Sequence, residues 1–152
     1  MEARMNHPAM VLPDAMEALQ SLSAATRRGI VPRATLELTH LRVSQINGCS
    51  ACIDIGTRGA KKAGESDERL FAVAAWRDSP HFTETERAAL ALAEAMTRIS
   101  DQPDPVSDAI WDEATRHYDE QELAALILDI AATNTWNRLN VTVKQVPGAW
   151  TG

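Results

Sequence analysis

Apolar residues recur at helical spacing along the chain, and this pattern constrains the fold more than any other feature. One stripe, at intervals of one to four residues, is formed by Leu123, Leu126, Ile127 and Ile130. Side chains at this spacing fall on one face of an α-helix, so such stripes predict amphipathic helices packed on a common core. The apolar residues are mostly Ala and Leu, which suit helices better than strands. We therefore predict an all-α fold.

Proline, glycine and capping residues divide the chain into seven predicted helices. The predicted ranges are 13–27, 32–46, 49–64, 67–76, 83–98, a sixth beginning at 104–105, and 119–141. Thr83 and Glu86 form a capping box, a frequent signal for the start of a helix. The chain has 152 residues, which fits one domain over 1–152. Trp150, in a tail predicted to be irregular, is expected to dock on a neighbouring surface.

Charge and hydropathy exclude two classes of partner. The formal net charge is -6 and the basic residues are scattered, so we expect no nucleic-acid partner. No apolar run approaches the ~20 residues that span a bilayer, and the first residues lack the apolar segment of a signal peptide. We therefore expect no membrane partner and a cytoplasmic location.

Cys49 and Cys52 form a C-x-x-C motif directly after the turn signal Asn47-Gly48, where a helix is predicted to begin. Unpaired N–H groups at a helix N-terminus favour the thiolate over the thiol. Two sulfurs three residues apart in a first turn can also close a disulfide. We expect the outer cysteine of the pair to be exposed and the inner one to be half covered. The inner thiolate can attack a peroxide or a disulfide, and the outer thiol can resolve the product.

Three other interpretations of the cysteine pair stay open: inert buried thiols, half of a zinc site, and a non-catalytic disulfide. Zinc normally needs four ligands, and the chain has no second C-x-x-C motif. His40, His81 and His117 lie far apart in sequence. We therefore expect no metal and no other cofactor.

Glu37 is the carboxylate best placed to exchange protons with the dithiol. It lies in an otherwise apolar stretch, but on a straight helix it would be about 18 Å from Cys49. If Asn47-Gly48 reverses the chain, the next helix runs back towards Glu37. A histidine one turn after Cys52 could then connect the thiol to the carboxylate. The chain has Gly56 at that position.

Residues 37–54 resemble the core motif of the carboxymuconolactone decarboxylase superfamily, in its alkylhydroperoxidase AhpD-like branch. That motif is a Glu, eleven residues, C-x-x-C, three residues and a His. Glu37, Cys49 and Cys52 match it, and Gly56 stands where the histidine is expected. Further similarity lies in residues 69–77, 82–90 and 134–140, and the core motif falls within 32–64.

The resemblance implies a single AhpD-like helical bundle that assembles as a dimer, trimer or hexamer. It implies a thiol-dependent alkylhydroperoxidase with peroxiredoxin activity, a hydroperoxide substrate and an unidentified thiol or disulfide reductant. Cys52 would be the peroxidatic thiol, Cys49 the resolving thiol and Glu37 the acid/base. The lactone decarboxylases of the superfamily typically lack the dithiol, so we do not expect their chemistry.

The glycine at position 56 leaves an alternative: a catalytically degenerate member that acts as a structural or ligand-binding homo-oligomer. A water, His40 or His81 could instead replace the missing histidine, although neither histidine's position follows from the spacing. Gly56 and Gly59 each weaken their helix by up to about 1 kcal/mol relative to Ala. Close approach of another helix would be a structural reason for them.

Overall fold

The computed structural model describes residues 1–149. Within these residues the regular secondary structure is entirely helical, with no strand. The α-helices are α1 (Pro8–Val11), α2 (Ala15–Thr26), α3 (Arg33–Ile46), α4 (Ser50–Lys62), α5 (Asp67–Ala72), α6 (Glu84–Thr97), α7 (Asp108–His117) and α8 (Glu120–Val143). A 3₁₀ helix, Val73–Asp78, directly follows α5. The prediction of a single-domain, all-α fold is confirmed.

Three local predictions differ from the structure. The short helix α1 was not predicted, because four residues are too few for a periodic stripe. The sixth predicted helix starts at Asp108, because Ser107 is still extended at the cap position. The predicted helix 67–76 splits at the 3₁₀ segment, where Ala75 leaves helical geometry. The predicted docking of Trp150 lies outside the described residues.

Helix α3 lies at the centre of the molecule and packs against α4, α6 and α8. Leu36 and Val43 contribute to one apolar cluster with residues of α6, α7 and α8. Leu38 and Leu41 belong to a second cluster, on the side of α5 and the 3₁₀ helix. No helix within residues 1–149 is both long and apolar enough to cross a membrane.

The turn at Asn47-Gly48 folds α4 back along α3, as predicted. Gly48 adopts a φ of 66°, a left-handed conformation that glycine tolerates without strain. Two glycines of α4 face α3: a Cβ on Gly56 would collide with His40, and one on Gly59 would touch the Glu37 carboxylate. Close approach is therefore the structural reason for Gly56, whereas a Cβ at Gly59 would make only an ordinary van der Waals contact.

Candidate active site

The two cysteines form a disulfide across the first turn of α4. Cys49 is the N-cap residue and Cys52 is the third residue of the helix, with their Cα atoms 5.3 Å apart. The Cys52 N–H donates to the Cys49 Sγ at 3.3 Å, so the cap side chain satisfies one of the free N–H groups of the first turn. The predicted placement of the dithiol at a helix start is confirmed.

Both cysteines are buried in the protomer, with 1% of Cys49 and 2% of Cys52 exposed. The prediction of one exposed and one half-covered cysteine is therefore wrong. Helix α8 packs against α4, and its residue Asn140 contacts the Cys52 sulfur. A contact between residues so distant in sequence could not be seen from the local pattern around the cysteines.

Cys52 borders a cavity of about 430 Å³ between α2, α3, α4 and α8. Its apolar lining residues include Met16, Ile55, Ala132 and Trp136. Its polar and charged lining residues include Arg27, Arg33, Glu37, His40, Asp129, Thr133 and Asn140. Cys49 borders a second cavity of about 330 Å³, which lies beside the C-terminal end of α8.

Glu37 lies in the wall of the larger cavity and is only 5% exposed. Its Oε1 accepts from Arg27 Nη1 at 2.9 Å and lies 3.5 Å from Arg33 Nε. The same Arg27 guanidinium reaches Asp129 on α8, with Nε 3.1 Å from Oδ1. Because the carboxylates are paired, the cavity wall holds two buried negative charges without leaving them uncompensated.

His40 occupies the space that a side chain at position 56 would need. A Cβ built on Gly56 would lie 2.5 Å from His40 Cδ2 and 2.9 Å from His40 Nε2. His40 Nε2 is 3.2 Å from the Cys52 carbonyl oxygen, to which it donates, and Nδ1 is 3.5 Å from the Thr133 hydroxyl. His81, the other candidate, is exposed after the 3₁₀ helix. The structure therefore brings His40, and not His81, to the dithiol.

Burial lowers the pKa of His40 below its ordinary value of 6.5. The hydrogen bond to the Cys52 carbonyl and the charges of Glu37 and Asp129 act in the opposite direction, and the charge of Arg27 adds to the lowering. The imidazole is therefore mainly neutral at pH 7. A neutral imidazole can accept a proton from a nearby thiol.

The sequence comparisons agree with this architecture. The family model of the carboxymuconolactone decarboxylase family matches residues 13–95. This chain belongs to the carboxymuconolactone decarboxylase family. The uncharacterised protein YdfG of Bacillus subtilis is 35% identical over 133 residues, which are 88% of this chain and 89% of YdfG. The uncharacterised protein YnjA of Escherichia coli is 39% identical over 104 residues, which are 68% of this chain and 55% of YnjA.

Solved structures share the fold of this family member. ATU0492 of Agrobacterium tumefaciens, a protein of unknown function linked by name to AhpD and antioxidant defence, superposes with a TM-score of 0.90. It is 29% identical, and the match covers 97% of this chain and 99% of that one. The debrominase Bmp8 has a TM-score of 0.78 at 24% identity, over 90% of this chain and 73% of Bmp8. At that identity, the Bmp8 match supports the fold alone.

Asn140 of α8 is a site residue that the sequence reasoning missed. Its Nδ2 donates to the Cys52 Sγ at 3.3 Å, and its buried Oδ1 has no hydrogen-bond partner within the described residues. A signal was present: polar residues interrupt the apolar helix α8 at helical spacing. The buried members of this polar stripe are Asp129, Thr133, Asn137 and Asn140. A buried polar stripe on a long helix indicates a cavity or a polar network.

Proposed function

We propose that this protein is a thiol-dependent peroxidase that reduces an organic hydroperoxide with the dithiol Cys49 and Cys52. One observation carries the proposal: Cys52, half of a disulfide at a helix start, borders a 430 Å³ cavity together with Glu37 and His40. Such a site combines an oxidisable sulfur, proton-exchanging groups and room for a substrate.

The reaction divides between the two sulfurs. The Cys52 thiolate attacks the terminal oxygen of the hydroperoxide, forming an S–O bond as the O–O bond breaks and an alkoxide leaves. A proton converts the alkoxide to an alcohol, and Cys52 becomes a sulfenic acid. Cys49 then attacks that sulfur, so a disulfide forms and water leaves. An external thiol reductant, whose identity stays open, returns both cysteines to thiols.

The cavity favours an organic hydroperoxide over hydrogen peroxide. It is far larger than hydrogen peroxide, and Met16, Ile55 and Trp136 give it apolar walls. Burial of an alkyl or aromatic group against such walls contributes a favourable binding free energy of about 25 cal/mol per Å² of buried apolar surface. Glu37, which lines the same cavity as Cys52, would act as an acid/base. The homo-oligomer remains a prediction, to be checked by the mass of the protein in solution.

The test is a thiol count after mixing the reduced protein with cumene hydroperoxide. We expect two free thiols before mixing, none afterwards, and one cumyl alcohol per protomer. Cys52→Ser should abolish the reaction, a loss of more than about 1,000-fold. Cys49→Ser should stop at a sulfenic acid that dimedone traps. An unchanged thiol count and unconsumed peroxide in the wild-type protein would contradict the proposal.

The missing histidine at position 56 favours one competing function, a degenerate homologue that binds ligands without turnover. In that case Cys52→Ser would leave the biological role of the protein intact. Comparing a strain that carries Cys52→Ser with one that lacks the protein separates the two functions. A peroxide-sensitive phenotype in both strains supports the peroxidase, whereas a phenotype in the deletion strain alone supports the degenerate homologue.

A further inference from the structure

We propose that His40 on α3 replaces the histidine that the motif places at position 56 on α4, and that it carries the protons of Cys52. This inference rests on the proposed function of the dithiol and assigns a proton-transfer group within it. The imidazole reaches the site from the opposite helix of the α3–α4 pair.

The first argument is steric complementarity between the two positions. Two of the His40 ring atoms lie less than 3.0 Å from where a Cβ on Gly56 would stand. Close-packed interiors do not tolerate such overlap, so any side chain at position 56 would push the imidazole out of this place. Conversely, the glycine leaves a space that His40 fills. The histidine at position 40 and the glycine at position 56 therefore depend on each other.

The second argument is the pattern of hydrogen bonds at the ring. A carbonyl oxygen can only accept, so His40 Nε2, at 3.2 Å from the Cys52 carbonyl, carries a hydrogen. In the neutral ring Nδ1 is then an acceptor, and the Thr133 hydroxyl lies 3.5 Å from it. These contacts hold the imidazole beside Cys52 in the wall of the same cavity.

The third argument is the charge around the ring. The charged groups that face it are Arg27, from the end of α2, Glu37 on α3 and Asp129 on α8. Arg33 contacts the same Glu37 carboxylate. The two carboxylates stabilise a protonated imidazole, while burial and Arg27 oppose it. The two carboxylates therefore offset part of the cost of charging the buried ring.

In the first half-reaction, the proton that leaves Cys52 ends on the alcohol product. The Cys52 thiol gives its proton, within the cavity that both residues line, to His40 Nδ1, the ring nitrogen that carries no hydrogen, which leaves a thiolate and an imidazolium. The thiolate forms the S–O bond, the O–O bond breaks, and the imidazolium gives the proton to the departing alkoxide. His40 is neutral again, and the two electrons that cleave the peroxide come from the Cys52 sulfur.

The first test measures the His40 pKa by NMR titration of the histidine ring carbons, in the oxidised and the reduced protein. We expect a value below 6.5 in the oxidised protein and a higher value after reduction, because a nearby thiolate favours the imidazolium. The exposed His81 is the internal control, and its ring-carbon signals should not depend on the redox state. If the His40 pKa is the same in the oxidised and the reduced protein, the proposal is overturned, whether or not the protein consumes peroxide.

The second test exchanges the histidine between the helices and follows disulfide formation by cumene hydroperoxide across pH. His40→Gln keeps an amide donor for the Cys52 carbonyl but cannot carry the proton, so we expect a loss of about 100-fold. The double variant His40→Ala/Gly56→His should recover at least 10-fold over His40→Ala. The matched control His40→Ala/Gly56→Phe fills the same space without a titrating ring and should recover nothing.

The single variant Gly56→His places two side chains in one space, so we expect lower stability and no gain in rate. A faster Gly56→His enzyme, a wild-type rate in His40→Gln, or equal recovery by Phe and His would each contradict the proposal. Failure of the wild-type protein to react would instead contradict the peroxidase function. The redox dependence of the His40 pKa would then still decide whether the ring is coupled to Cys52.

Discussion

Two clusters in which arginine pairs with buried carboxylates lie at α3, and their surroundings differ. The cavity cluster consists of Arg27, Glu37 and Asp129. The closed cluster consists of Arg42, Trp76, Arg77 and Glu94. Glu37 and Glu94 are each 5% exposed, so burial does not distinguish the two carboxylates.

The difference lies in how the carboxylates are surrounded. Glu94 Oε1 accepts from Arg42 at 2.5 Å and from Trp76 Nε1 at 3.0 Å, and Oε2 accepts from Arg77 at 2.5 Å. It borders neither of the two cavities described above. Glu37 borders the cavity that contains Cys52. A buried ion pair therefore points to chemistry only where it meets a reactive group and open space.

The largest effect on stability is expected for Glu94→Gln. This change leaves Arg42 without its carboxylate at a site where its side chain is 13% exposed, which should cost about 3 kcal/mol of unfolding free energy. That cost corresponds to a factor of roughly 150 in the folding equilibrium. Urea unfolding measures it. Peroxide-driven disulfide formation in the folded variant should stay at the wild-type rate, and a slower rate would break the distinction between the clusters.

The same variant should change how stability depends on pH. Burial alone would raise the pKa of Glu94, but hydrogen bonds from Trp76, Arg77 and Arg42 outweigh it, so the pKa lies below the ordinary 4.5. The stabilising contribution is therefore complete above pH ~4.5 and is lost as the pH falls through the folded-state pKa. Urea midpoints between pH 3 and pH 7 should fall more steeply for the wild-type protein than for Glu94→Gln.

Glu37→Gln should give the opposite outcome. The amide still accepts from Arg27, which keeps its second partner Asp129, so we expect a smaller loss of stability than for Glu94→Gln. The amide cannot exchange protons, and disulfide formation by cumene hydroperoxide should slow by about 30-fold. If Glu37→Gln lowers the free energy of unfolding as much as Glu94→Gln and leaves the rate of disulfide formation unchanged, both clusters contribute to stability and neither contributes to the reaction.

Asn140→Leu tests a smaller difference, between two amides of α8. The Asn140 amide contacts the Cys52 sulfur, whereas the Asn137 amide is hydrogen-bonded to Ser44 and Asn47. Loss of the Asn140 donor should raise the pKa of the reduced Cys52 thiol, because the amide N–H stabilises the thiolate by a hydrogen bond. Thiolate absorbance at 240 nm measures this pKa in a Cys49→Ser background.

The control for that experiment is Asn137→Ala. Asn137 donates to the Ser44 hydroxyl at 3.1 Å and accepts from Asn47 at 2.9 Å. Its loss should lower the free energy of unfolding by about 2 kcal/mol and leave the Cys52 pKa unchanged. Equal pKa shifts in the two variants would mean that the effect comes from general loosening of α8 and not from the contact with sulfur.

Much of the fold was predictable because its signals are local. The capping box at Thr83 and Glu86 is formed as predicted, and α3 ends at the Asn47-Gly48 turn. Caps and turns act within three or four residues, so sequence spacing describes them well. The four-residue α1 was missed because it is too short for a periodic stripe, and the late start of α7 was missed because Ser107 is still extended.

The sequence by itself determined an all-α chain with a dithiol at a helix start, a fold-back towards Glu37 and a missing histidine at position 56. Only the tertiary structure decided that both cysteines are buried, that Asn140 contacts Cys52 across 88 positions of sequence, and that His40 fills the space above Gly56. The reason is physical: helical period and capping are local, whereas burial and side-chain occupancy depend on which helices meet. The motif locates the dithiol, but the packing of α3 against α4 determines which imidazole stands beside it.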